Sequence, residues 1–571
     1  MTAILLWGYR WYSARLAANY ALDDTRVTPA HVHNDGVDYV PTQPFYLFGQ
    51  HFSAIAAAGP IAGPILACQL FGWGPCLVWI AVGSIFIGAV HDFSSLVASV
   101  RHDARSVAEI VRQHLGRRGW LAMMGFIWLA LIYVIVAFTD ITANTFVGKS
   151  EELDGGAFTF NPGGAVAAAS TMYLVLALTM GLVTRWLAPR LSLLTALFVP
   201  ATLFVIWLGT RVSTVFAFDS ATPTQVWGGI IIVYCFIASL MPMWMLLQPR
   251  GYLGGFVLYA TLAVGAVGVL FGALRFPTDF DIEQPIFRSF DAGGDLGMLF
   301  PFLFVTIACG ACSGFHGLVC SGTTSKQIER ETHTRSVGYG AMLLEAFVAV
   351  IALATVMTVV PQSPMPPPGK IFGDGIGRSL AVLIGPDHLV FARTFGAMAF
   401  STFVFDTLDV ATRLGRYIVE EVTGIKGRVG AVVATAATLM PPAVVLLTVP
   451  PPGPGQRPAY LDFWTLFGTS NQLLAGLTLL GITVWLYAAR KRVRYTLVPL
   501  VFILAVTLVA LGFQVRYVLA ALVERGLTLP MLVNGVVATS LFAISIMLIV
   551  DSWRAVRRIR AERLGAATPT G

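Results

Sequence analysis

MLFPFLFVTIACGACSGFHGLVCSGTTSK, residues 298–326, decides how the rest of the chain is read. It opens as an apolar run able to span a bilayer and then loses its helical grammar. Gly310, Gly314 and Gly317 interrupt it, Ser313 and His316 lie among them, and Ser321, Gly322, Thr323 and Thr324 follow. A helix in hydrocarbon satisfies its own backbone, so such groups are tolerated only against protein or a watery cavity. A second interrupted stretch is HFSAIAAAGPIAGP at 51–64. There Pro60 and Pro64 each remove an amide donor, and Gly59 and Gly63 loosen the same turns. A broken hydrophobic segment in each half of a membrane chain points to a transporter's substrate site. Close helix packing explains 59–64 equally well. At 310–324 the buried imidazole beside hydroxyls tips the balance toward function.

Composition sets the class. Of 571 residues, 56% are hydrophobic and 12% charged, about half the charged share of an ordinary soluble domain. Uncharged runs long enough to cross a bilayer recur from end to end, so the chain is an all-α polytopic membrane bundle. The net charge of +7 does not indicate nucleic acid, because the arginines fall in short loops between spans. Cys309 and Cys312 make a single C-x-x-C inside a span, with no second pair to complete a zinc site. With the other four cysteines they read as small buried hydrophobes. Met1–Tyr12 is too short for a cleavable signal peptide and lacks a small-residue cleavage site.

The spans fall at 52–72, 74–99, 119–148, 164–187, 190–209, 226–247, 251–273, 298–320, 337–360, 387–412, 430–449, 462–487, 494–516 and 528–550. That makes about fourteen crossings at ~20 residues each. Basic loops at 101–118, 184–190, 248–251, 321–336, 413–429 and 488–494 alternate with acidic or Pro/Gly-rich loops at 149–163, 274–297 and 361–386. The positive-inside rule then puts the basic loops and the basic tail in the cytoplasm. The organisation is a cytoplasmic segment 1–51, a transmembrane bundle 52–550 and a tail 551–571. On this topology the two broken segments run antiparallel, as an inverted repeat requires, with extra helices inserted between them.

Ionisable residues inside spans are costly and default to functional candidates. His91 and Asp92 end an otherwise apolar run, and Glu345 lies deep with no partner nearby in sequence, which implies one from another helix. In FDTLDVATRLGR the helical spacing pairs Asp409 with Arg413, leaving Asp406 as the carboxylate without a local cation. The coupling candidates are therefore Asp406, Asp409, Glu345, His91 and Asp92, with His316 beside them. In 467–476, Asn471 and Gln472 bring amides that serve equally to bind substrate or to cross-link helices. The candidate substrate set is Ser53, Gly59, Pro60, Gly63, Gly310, Ser313, Gly314, His316, Thr323, Asn471 and Gln472. Histidines 33, 51, 91 and 316 are the right ligand type for zinc or haem, at spacings that match no known signature.

These stretches give the chain a strong resemblance to the carbon starvation protein A family of bacterial inner-membrane transporters. HNDGVDYVPT at 33–42, FGQHFSAIAAAGPIAGPILA at 48–67 and GAVHDF at 88–93 carry it. ACGACSGFHGLVCSGTTSKQIERET at 308–332, GYGAMLLEAFVAV at 338–350, FDTLDVATRLGRY at 405–417 and FGTSNQLLAG at 467–476 continue it. The resemblance implies a helix plan similar to amino-acid/polyamine transporters, with a LeuT-like core, and uptake of peptides or pyruvate driven by an ion gradient. Two departures stand out. Members usually carry further hydrophobic sequence before the position of Leu6, and Gln50 sits where many have a second histidine beside His51.

The sequence thus reads as a secondary active transporter of the inner membrane rather than an enzyme. Its partners are a small-molecule substrate (a peptide or pyruvate) and membrane lipid; protons come ahead of sodium as the coupling ion, and oligomeric state is unspecified. The rival is a membrane sensor or a redox subunit whose histidines hold metal or haem.

Overall fold

A computed structural model of the chain describes residues 1–36, 38–56, 58–153, 158–293, 297–362, 365–425, 427–448, 459–524 and 529–565. Helices α1 (Thr2–Trp7) and α2 (Ser13–Tyr20) are joined by a π-turn, and α3 (Pro29–Val32) is one turn in the polar stretch that follows. Next come α4 (Pro44–Ile55) and α5 (Gly59–Phe71), whose axes differ by 45°. A π-turn at Ser84–Gly88 carries α6 (Trp73–Gly83) into α7 (Ala89–Arg101). Ser106 accepts the Glu109 amide at the start of α8 (Val107–Thr145), which kinks where Gly116 takes φ +78°. A short antiparallel hairpin, β1 (Glu151–Leu153) with β2 (Phe158–Phe160), precedes α9 (Pro162–Leu187), α10 (Leu191–Arg211), α11 (Pro223–Leu240) and α12 (Leu247–Arg275).

The second broken element is α13 (Leu299–Thr306), α14 (Ala308–Ala311) and α15 (Gly314–Gly322). A π-turn at Arg335–Gly340 leads into α16 (Ala341–Met357). The chain ends with α17 (Pro368–Ile384), α18 (Leu389–Thr423), α19 (Gly427–Thr448), α20 (Ala459–Ala488), α21 (Arg494–Glu524) and α22 (Leu529–Gly565). Among the described residues, 12 helices are long and apolar enough to cross a membrane, or 13 with the bent α4–α5 pair. The remaining expected crossing is α13–α15, whose pieces are each too short to qualify alone.

Packing separates an inner from an outer set. The most apolar windows of α8, α18 and α20 are 72–78% buried, whereas those of α10 and α22 are only 28% buried and present apolar faces to lipid. Inside, α4 packs on α15 while α5 packs on α13 and α14. The first half of one broken element thus meets the last half of the other, so the two run antiparallel. Helices α7, α16 and α20 close around them.

Three boundaries differ from the sequence reading. The first span starts at Pro44, because proline at the first turn of a helix lacks only an amide that would be unpaired anyway. Helix α22 continues without interruption from the membrane into the basic tail. The Pro/Gly-rich loop 361–386 contains α17, whose Gly369, Gly373 and Gly377 form a helical stripe packed against Thr145, Ala397 and Arg393. That four-residue spacing reads as loop composition when taken alone.

Candidate functional site

The two breaks are narrower than the sequence suggested and lie elsewhere in detail. Residues 59–64 are helical: Pro60 occupies the first turn of α5, and the interruption precedes it, between Ile55 and Gly59. Gly59 and Gly63 are close-approach positions. A Cβ on Gly63 would stand 2.6 Å from the Thr306 carbonyl oxygen, and one on Gly59 would collide with Cys309 Sγ. Gly310 lies over Ala349 and Pro60 at the same crossing. The packing explanation therefore accounts for these positions, and the crossing they permit brings the broken elements together.

In the second element the chain is extended at Cys312 and Ser313, and α15 starts at Gly314. Asn471 of α20 repairs this break. Its Oδ1 accepts the Phe315 amide at 2.9 Å, and its Nδ2 donates to Ser313 Oγ at 3.0 Å and Cys309 Sγ at 3.1 Å. Gln472 Nε2 donates to the Phe304 carbonyl at 3.2 Å and Trp464 Nε1 to that of Thr306 at 3.2 Å. Helix α20 is thus a splint that satisfies backbone freed along the broken element, as backbone at membrane depth requires. Thr323 Oγ1 turns back to the Val319 carbonyl, and Ser53 Oγ donates to that of Gly251 at 3.4 Å. Neither reaches the break.

Directly after the splinted break, α15 presents His316 to two carboxylates. His316 Nδ1 lies 2.8 Å from Asp92 Oδ2, and His316 Nε2 lies 3.1 Å from Glu345 Oε2. His91 Nδ1 takes the other Asp92 oxygen at 2.7 Å. All four side chains are buried to within 1% of complete. The partner that Glu345 needed from another helix is His316. The line Asp92–His316–Glu345 joins α7, α15 and α16. Glycines make room for it: a Cβ on Gly317 would press on the His91 ring at 3.2 Å, and one on Gly88 would collide with the Ala311 carbonyl. The π-turns ahead of α7 and α16, a feature often found at functional sites, set the register of Asp92 and Glu345.

The contacts limit what this line can do. An ionised Asp92 only accepts, so both Nδ1 atoms facing it then carry protons. His316 Nε2 stands at ion-pair distance from Glu345, whose oxygens make no hydrogen bond among the described residues, so the proton at that contact sits on either partner: imidazolium facing carboxylate, or imidazole facing acid. With both acids ionised and His91 neutral, the cluster then carries a net charge of −1. One further proton makes it neutral. Burial makes the difference between those two charge states large.

Of the four candidate histidines only His91 and His316 meet, through Asp92. Both Asp92 oxygens are occupied by imidazoles, His51 Nδ1 pairs with Thr324 Oγ1 at 2.8 Å, and His33 pairs with Asp103 at 2.6 Å in an exposed loop. Among the described residues no three His, Cys, Asp or Glu side chains are grouped as a metal site. The expected pairing on α18 is also corrected. Asp406 is not left without a cation, and Asp409 does not pair with Arg413. Both aspartates reach Arg250 of α12: Nε donates to Asp406 Oδ1 at 2.6 Å and Nη1 to Asp409 Oδ2. Arg413 instead donates to the Ala238 and Met241 carbonyls at the end of α11. Arg250, in LQPRGY, was passed over as a cytoplasmic loop cation; its place in the first turn of a long apolar helix was the available signal.

The profile of the family described as carbon starvation protein CstA matches residues 1–366 and 365–510. The chain belongs to that family. A peptide transporter CstA of Campylobacter jejuni is 33% identical, over 88% of this chain and 78% of the relative. The Bacillus subtilis peptide transporter CstA is 30% identical, over 99% and 98%. The pyruvate/proton symporter BtsT of Escherichia coli is 30% identical, over 90% and 80%. Among solved structures, MhsT in complex with L-phenylalanine superposes with a TM-score of 0.49 at 10% identity, over 90% of this chain and 99% of MhsT. The CstA family is thus reached from the sequence blocks and the profile alike.

Proposed function

We propose that this member of the CstA family is a secondary active transporter that imports a peptide or pyruvate together with protons by alternating access. The observation that carries the proton assignment is the buried Asp92–His316–Glu345 line. It spans three helices, two of which flank the broken element, and it changes between net −1 and neutral with one proton. Motion of α15 against α7 or α16 opens the line and makes the proton exchangeable, so position and protonation are linked. The N-terminal end of α15 carries partial positive charge, which suits the carboxylate shared by peptides and pyruvate. The names of the relatives, peptide transporter and pyruvate/proton symporter, support both substrates. On the charge pattern of its loops, the protein sits in the bacterial inner membrane with its C-terminus in the cytoplasm.

Uptake of labelled pyruvate and dipeptides into proteoliposomes, with proton and sodium gradients imposed separately, tests this reading. Accumulation that follows the proton gradient and ignores sodium is expected. Accumulation driven by sodium alone overturns it.

A further inference from the structure

We infer that Arg250, Asp406 and Asp409 form a second proton-binding site, separate from the Asp92–His316–Glu345 line. This rests on the proton-coupled reading above and extends it to two protons per substrate. Arg250 is fully buried, yet it opens α12 only three residues after Leu247. Besides the two aspartates it binds Tyr234 Oη of α11 through Nη1 at 2.5 Å, and Tyr234 Oη donates onward to Asp409 Oδ2 at 2.9 Å. Tyr173 Oη of α9 donates to the Arg250 carbonyl at 2.9 Å. Four helices thus meet at Arg250, two of them, α11 and α18, at its guanidinium.

The charge count is unbalanced. Guanidinium stays charged at any accessible pH, so one cation faces two carboxylates. Among the described residues no second cation touches the pair: Arg413, whose charge still acts on Asp409, and Arg416, which faces Glu420, place their hydrogen bonds on the carbonyls of Ala238, Met241 and Ser239, and Tyr173, Tyr234, Cys235 and Thr412 are neutral. Two further atoms mark the site as incomplete. Asp409 Oδ1 and Arg250 Nη2 are buried with no hydrogen-bond partner among the described residues. A bare carboxylate oxygen in such surroundings is far costlier than the same oxygen in a neutral acid. One proton on the aspartate pair removes the excess charge and lowers the cost of that oxygen. The Asp406 side chain is 14% exposed, against 3% for Asp409, so Asp406 is the less enclosed member of the pair. A readout is built in as well. The Gly251 carbonyl, next to Arg250, accepts from Ser53 of α4, so a change in the grip of Arg250 is felt by the first broken element.

Infrared difference spectra of the purified full chain in lipid nanodiscs, recorded between acid and alkaline pH, count protonated carboxyl groups directly. Two bands are expected. Glu345→Gln should remove one; Asp406→Asn or Asp409→Asn should remove the other. Asp406→Glu and Asp409→Glu keep the carboxyl and the fold, and the affected band should change frequency in at least one of them. In proteoliposomes the reversal potential should give two protons per substrate for the wild type and one for Asp409→Asn. If none of the four aspartate variants alters a band, or the wild type moves one proton per substrate while the Glu345 band persists, the second site is overturned and the first stands. If the Glu345→Gln spectrum matches the wild type and uptake ignores the proton gradient, the coupling reading itself fails.

Discussion

Asp92→Asn is the most instructive single perturbation, because Asp92 anchors both buried imidazoles. Its two oxygens take His91 Nδ1 at 2.7 Å and His316 Nδ1 at 2.8 Å, with no exposure of any of the three side chains beyond 1%. Asparagine keeps one acceptor oxygen and turns the other into an NH2 donor. One of the two imidazoles must then change tautomer or lose its bond, and the charge that stabilises a second proton on His316 is gone. Hydrogen bonds to a charged group contribute about 1.5–3 kcal/mol each, and stripping one partner from a buried pair costs about 3–5 kcal/mol. A loss of about 3 kcal/mol in proton binding corresponds to roughly a hundredfold. Proton-driven accumulation in proteoliposomes should therefore fall about a hundredfold. Substrate counterflow, which needs binding and alternation but no net proton movement, should persist. Asp92→Asn protein that accumulates substrate to the wild-type ratio would refute the proton inventory drawn for the cluster.

Other consequences can be checked separately. Gly63→Ala places a methyl group 2.6 Å from the Thr306 carbonyl oxygen, so the broken elements must spread. Overpacking of this kind costs about 1–3 kcal/mol, read as a lower thermal midpoint in detergent. Asn471→Ala orphans the Phe315 amide at about 1–3 kcal/mol, read in the same melt. On the side of the basic loops, Glu331 is 1% exposed and accepts from Arg101 Nε at 2.6 Å and from the Asp23 amide at 2.7 Å. Glu331→Ala should therefore free the segment around residues 20–28 to limited proteolysis. That latch should also loosen in acid. Slight desolvation raises the carboxyl of the exposed Asp24, but bonds from the Thr332 amide and hydroxyl outweigh it and hold Asp24 below the usual carboxylate range. A carboxylate depressed in the folded state lends stability above its unfolded pKa of about 3.9 and loses it as pH falls through the lower folded value. Cleavage near residue 24 should therefore rise below about pH 4.

Much of the fold was legible because bilayer physics acts on local sequence. Apolar runs marked the spans, and the small polar interruption at 310–317 marked a real break. The interruption at 59–64 was misplaced by one turn because proline and glycine have two uses. Pro60 starts a helix as well as it ends one, and Gly59 and Gly63 serve contact with Cys309 and Thr306 that no local pattern announces. At the site, sequence singled out His91, Asp92, His316 and Glu345 singly, as costly groups at membrane depth. Their meeting depends on π-turns and on glycines at 88 and 317, which are tertiary facts. The α18 pairing went wrong for the same reason. Helical spacing offers Arg413 to Asp409, but the carbonyl ends of α11 claim Arg413, and Arg250 arrives from a helix more than 150 residues away.

The most direct measurement is substrate-evoked proton movement in proteoliposomes loaded with a pH-sensitive dye, with no other ion gradient, comparing wild type with Glu345→Gln. Substrate addition should drive protons inward through the wild type. In Glu345→Gln that signal should vanish while substrate counterflow continues. Proton uptake at the wild-type rate through Glu345→Gln would contradict the claim that the His316-centred line carries the coupled proton.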